Sequence, residues 1–83
     1  MSRDEILEKL NVIFRDIFDD EEINLSEETT PDDIEDWDSL GHVYLTAEIE
    51  DELKIKLGEQ MKEIECVRDI IDLICLRLEM KNS

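Results

Sequence analysis

The sequence predicts an all-α fold, a small four-helix bundle of three main helices plus one short helix, with a long first loop. Three observations predict it. Apolar residues recur at three- and four-residue spacing near the start, the middle and the end of the 83-residue chain. Two glycines, one proline and few aromatics leave little material for the strands and turns of a β domain. A hydrophobic share of 41% is enough for one compact core, with no room for a second. Residues 1–83 are therefore expected to form a single domain.

The first helix is expected from about Ser2 to Phe18. Ser2 and Glu5 have capping-box spacing, which marks the helix start. Ile6, Leu10, Ile13 and Ile17 then share one face, and Leu7, Phe14 and Phe18 widen it. From Asp19 to Trp37 the periodicity vanishes. Ile23, Leu25, Ile34 and Trp37 are the expected pins of this long acidic loop. A short helical turn over Pro31 to Ile34 fits there, with Thr30 as its cap.

The second main helix starts near Asp38 or Ser39, with Asp38 as N-cap, and ends near Lys54. Leu45, Ile49 and Leu53 form its core stripe. Leu40, Val43, Tyr44 and Ala47 lie round a second apolar face, which points to a partner. Glu48, Glu50, Asp51 and Glu52 load its later turns with charge that the macrodipole disfavours. A connector follows over Lys54 to Leu57, punctuated by Gly58, and Gln60 to Ile64 fits a short third helix. The last helix runs from about Val67 to Met80, with Val67, Ile70, Ile71, Ile74 and Leu78 on one face.

Charge narrows the function. Acidic residues number 25 against 9 Lys and Arg, a formal net charge of −16. Nucleic acid is a poor partner, because phosphate binding needs positive charge to displace counterions. An anionic lipid surface is equally unfavourable. A partner with a basic patch is favoured, since opposite fields steer encounter. Met1-Ser2-Arg3-Asp4 leads into charges rather than an apolar signal core. The longest apolar run, Leu73 to Leu76, is far too short to span a bilayer. Lys81-Asn82-Ser83 is no lipidation box. A cytoplasmic monomer without membrane insertion is expected. Cys66 and Cys75, if both on one helix, would be separated by a rise of roughly 13 Å, so free thiols are expected.

The informative segment is Asp36-Trp37-Asp38-Ser39-Leu40-Gly41. It puts a serine at the mouth of a helix, after a long loop, with an acid before it and a leucine after it. Amides at a helix start are unpaired and the local dipole is positive, so a phosphate ester on Ser39 is well placed there. Gly41 is expected to remove bulk beside Ser39. This segment resembles the modification motif of carrier proteins, the acyl carrier proteins and the related polyketide, peptidyl and D-alanyl carriers. The resemblance covers nearly the whole chain: an opening helix, a long loop, Asp38-Ser39-Leu40 heading an acidic second helix, a short third helix and a last helix beginning Val67-Arg68-Asp69.

The resemblance implies an acyl-carrier-protein-like bundle with no catalytic residues and no resident metal. It implies that Ser39 receives 4′-phosphopantetheine from coenzyme A, and that the arm carries acyl or related groups as thioesters for fatty-acid, polyketide or related biosynthesis. Asp38 would help hold Mg2+ in the complex with the phosphopantetheinyl transferase. Leu40, Val43, Ala47, Glu48 and Asp51 would dock that transferase and the loading and synthase enzymes, whose patches are basic. Cys66 stands where the family commonly has a threonine cap. Trp37, Gly41-His42 and Tyr44 depart from housekeeping fatty-acid carriers, and Trp37-Asp38-Ser39-Leu40 resembles specialised carriers of polyketide, nonribosomal or other dedicated pathways.

Other chemistries fit less well. Ser39 and His42 are three apart, yet no buried acid orients His42, which is expected as an exposed residue of the partner face. A calcium loop starting at Asp36 fails, with Leu40 and Ala47 at ligand positions. The cysteines and the histidine lack zinc spacing. Trp37 reads as a loop anchor, placed to brace an arm as well. A noncatalytic acidic adaptor without a prosthetic group is the alternative function.

Overall fold

The computed structural model describes residues 1–81; Asn82 and Ser83, part of the tail read above for lipidation, lie outside the described residues. Three α-helices of 15 residues each carry the fold: α1 (Arg3–Ile17), α2 (Ser39–Leu53) and α3 (Val67–Lys81). Two 3₁₀ segments lie between them, Pro31–Asp33 in the first connection and Gly58–Glu63 in the second. No strand occurs among the described residues. The architecture is the all-helical bundle expected, with the six-residue 3₁₀ segment as its short fourth helix.

The start of α1 follows its sequence signal. Ser2 Oγ accepts from the Glu5 N–H at 3.2 Å, and Glu5 Oε1 accepts from the Ser2 N–H at 3.2 Å. The bond from the Ser2 N–H, with a smaller contribution from the Ser2 side chain, lowers the Glu5 carboxyl from its ordinary value. Ile6, Leu10 and Phe14 of α1 are fully buried against Leu45 and Ile49 of α2 and Ile70, Ile71 and Ile74 of α3. The end of α1 lies beside the start of α2, where Ile17 and Phe18 meet Gly41 and Tyr44 in one groove. The start of α1 lies beside the end of α2, where Glu5 and Glu52 line another.

The long loop is pinned rather than free. Ile23, Leu25 and Trp37 are buried and Ile34 is partly buried against the core. Backbone groups are strapped at several points. The Leu25 N–H donates to Asn11 Oδ1 at 2.7 Å, and Arg15 Nε donates to the Ile23 carbonyl at 2.7 Å. The first amides of α3 are satisfied by the loop itself: Val67 and Arg68 donate to the carbonyls of Thr29 and Glu27, both at 2.8 Å. Those helix-end amides would otherwise lack partners. Arg3 ties the same loop to α1 and α3 by bonding Glu27 and Asp72.

Thr30 is the N-cap of its 3₁₀ turn, as expected, with Pro31 at its start; its N–H and hydroxyl both donate to Asp33 Oδ2, at 2.9 and 3.2 Å. Two expectations are revised. The short helix is a 3₁₀ segment that begins at Gly58, two residues earlier than expected. Gly58 has φ +66°, which explains a glycine at the entry. Cys66 precedes α3 while Cys75 is within it, so the two free thiols are not on one helix. Among the described residues no helix is long and apolar enough to cross a membrane.

Candidate functional site

The site is built where the loop enters α2. Asp38 has an extended backbone and its Oδ1 accepts from the Gly41 N–H at 2.8 Å, which makes it the N-cap. The His42 N–H donates to the Asp38 carbonyl at 2.8 Å, closing the first turn. Ser39 and Leu40 therefore occupy the first turn, where amides point outward without intrahelical partners. Ser39 is exposed, and its hydroxyl makes no hydrogen bond among the described residues. Leu40 beside it is 61% exposed.

Gly41 faces inward. A Cβ there would stand 2.7 Å from the Asp36 carbonyl oxygen and 2.8 Å from Phe18 Cε1. The space it saves is thus against the loop and the end of α1. This corrects the expectation that it removes bulk beside Ser39. The close approach lets the first turn of α2 sit directly on Phe18, and so fixes the height of Ser39 above the bundle.

Trp37 anchors the loop just before the serine. It is buried and packs edge-on against Phe14, ring centres 4.9 Å apart, with Phe14 in turn edge-on to Phe18. Its Nε1–H donates to His42 Nδ1 at 3.0 Å, and the two rings are near parallel. His42 Nε2 lies 2.7 Å from the Met61 carbonyl. Because Trp37 can only donate and Met61 O can only accept, His42 is assigned as the Nε2–H tautomer. His42 is therefore not an exposed residue of the partner face. It is half-buried and ties the loop to the second 3₁₀ segment. Both its ring nitrogens are engaged, so it has none to offer as a base to Ser39. The sequence carried a signal for this. His42 is three residues before Leu45 and seven before Ile49, at the edge of the core stripe.

Down α2, Ser39, Val43 and Ala47 recur every four residues and all are exposed, with Val43 at 62%. Asp51 continues the same exposed line. Leu40 and Tyr44 lie next to it, also exposed. Glu48 departs from this face. It is half-buried and lines a groove against α1 with Val12, Asp16 and Glu52. Glu50, by contrast, has a structural task. Its Oε2 accepts from the Leu57 N–H at 2.7 Å and holds the connector to α2.

Taken together, these features make a presentation site, a bare hydroxyl raised at a helix start beside an apolar face. No family model and no curated protein matches the chain. Among solved structures it is similar to the solution NMR structure of holo acyl carrier protein from Geobacter metallireducens, at 39% identity and a TM-score of 0.84, covering 90% of this chain and 87% of that one. The chain belongs to the acyl carrier protein family. Its role is that of a carrier.

Proposed function

We propose that residues 1–83 act as one carrier domain, converted from apo to holo form at Ser39. The observation that carries this reading is the exposed, unpartnered Ser39 hydroxyl on the first turn of α2, beside the capping carboxylate of Asp38. 4′-Phosphopantetheine fits these residues. Its phosphodiester would lie at the positive end of α2, near the first-turn amides. The holo description of the Geobacter protein supports the same group here. When bound, the arm supplies a terminal thiol that holds acyl or related cargo as a thioester.

The chain's own residues present and dock. Trp37, Phe18 and Gly41 hold Ser39 outward, so that its hydroxyl is open to a transferase. Asp38 offers carboxylate charge beside it, suited to a Mg2+ ion shared with that enzyme and coenzyme A. Leu40, Val43 and Ala47 supply apolar contact to partners, and Asp51 supplies charge for their basic patches. Glu48 reaches partners from the α1 side of the helix. The serine has no base of its own, so the chain performs no reaction and the transferase activates the hydroxyl. Tethering raises the cargo's effective concentration at a docked active site. Trp37 and Tyr44 favour a dedicated pathway in the cytoplasm over routine fatty-acid synthesis, with the carrier acting as a monomer.

Incubation with coenzyme A, Mg2+ and a broad-specificity phosphopantetheinyl transferase should add the mass of one arm. No gain, or the same gain in Ser39→Ala, defeats the proposal. An acidic adaptor without an arm would keep full partner activity in Ser39→Ala, whereas a carrier loses it.

A further inference from the structure

The few cations of this acidic chain are not dispersed. Four of its nine Lys and Arg side chains, Lys54, Lys56, Arg77 and Lys81, line one pocket of about 400 Å³ beyond the end of α2. Leu57 and Met80 form apolar parts of its wall, and no Asp or Glu lines it. Like charges gathered in one place repel, so a negative group among them is favoured.

Helix ends account for only part of it. Carbonyls at the C-termini of α2 and α3 attract cations. Of the four, Lys81 makes such a contact, with Nζ 3.5 Å from the Leu53 carbonyl. The closest carboxylate paired with Lys54 is Asp51, at 4.0 Å. Lys56 is exposed and takes part in none of the described ion pairs. Arg77 bonds Gln60 and Met80 through its terminal nitrogens, and its Nε is buried without a partner.

The net charge of −16 does not forbid this. At physiological ionic strength the screening length is about 8 Å. An anion in the pocket feels the four adjacent cations, offset in part by the Asp51 carboxylate 4.0 Å from Lys54 and by the Glu50 carboxylate on the Leu57 N–H.

We propose that this pocket binds a small phosphate-type oxyanion, free inorganic phosphate or a phosphate monoester. Such a group has the charge and the several acceptor oxygens to meet convergent cationic donors. The site stands about 22 Å from Ser39 along α2 (15 residues of helix rise), so it is separate from the modified serine and needs no arm. A bound oxyanion would tie the end of α2 to the end of α3.

The test is a 15N–1H spectral titration of the full chain with inorganic phosphate at constant ionic strength. Saturating shifts confined to residues 54–58 and 77–81 are expected, with acetate binding more weakly. Lys56→Gln and Arg77→Gln should each weaken binding about tenfold, the loss of one charge-assisted hydrogen bond. Lys62→Gln and Ser39→Ala should bind as the parent does, the latter separating this result from the carrier reading. Should Arg77→Gln unfold, Lys56→Gln, on an exposed side chain, still decides. Shifts that never saturate, or that are as large around Lys9 and Lys62, overturn the proposal, as does Lys56→Gln binding unchanged.

Discussion

Trp37 and His42 are joined by a 3.0 Å hydrogen bond that spans the entry to α2, the indole donating to Nδ1 of the imidazole. The same imidazole reaches on to the Met61 carbonyl. One side chain thus couples the loop before Ser39, the helix that bears it and the short 3₁₀ segment.

Removing that link should loosen the site. His42→Ala leaves the buried Trp37 Nε1–H and the Met61 carbonyl without partners, at a cost of about 1–3 kcal/mol. Urea unfolding should show it as a lower midpoint with unchanged slope. Trp37 is the only tryptophan, so its emission should shift red in the native state of the variant. An unchanged midpoint and spectrum would refute the coupling.

Gly41 sets two effects against each other. Helix propensity alone says that Gly41→Ala should gain up to ~1 kcal/mol. The new Cβ, however, would lie 2.7 Å from the Asp36 carbonyl oxygen, which is backbone and cannot swing aside. Overpacking of this kind costs about 1–3 kcal/mol, so net destabilisation is expected in thermal or urea unfolding. A more stable Gly41→Ala would show that the first turn of α2 shifts freely.

The Ser2–Glu5 box predicts a pH dependence. Hydrogen bonds from Ser2 lower the Glu5 carboxyl in the folded chain. A carboxyl lowered on folding stabilises the fold above its unfolded pKa, about 4.3 for glutamate. That contribution is lost as pH falls through the lower folded value. Glu5→Ala, which removes the carboxyl, should therefore be less stable than the parent at pH 7, and the gap should narrow towards pH 3. A gap independent of pH would contradict the box.

With net charge −16, self-repulsion opposes compaction at low ionic strength. Screening should raise the melting temperature between about 0.01 and 0.15 M salt, as the Debye length falls from roughly 30 to 8 Å. Salt also weakens the exposed Arg3 pairs with Glu27 and Asp72, but surface pairs of this kind are worth only about 0–1 kcal/mol. The net effect is therefore a rise. A melting temperature that falls with salt would give those pairs the larger share.

The helices and the capped start of α2 were legible in the sequence because they rest on local rules. The Ser2–Glu5 box, the stripes of α1, α2 and α3 and the Asp38 cap each depend on residues within a turn or two. The pins Ile23, Leu25, Ile34 and Trp37 could be named as apolar residues in a polar loop. Their partners could not, since Asn11, Arg15 and the amides of Val67 and Arg68 are distant in the chain. Tertiary packing alone decided that His42 turns inward to Met61, that Gly41 makes room for Phe18 and Asp36, and that Glu48 leans towards α1. It also brought Lys54 and Lys56 beside Arg77 and Lys81. Periodicity says which face of a helix is apolar, whereas the neighbour across that face is chosen by how the whole bundle closes.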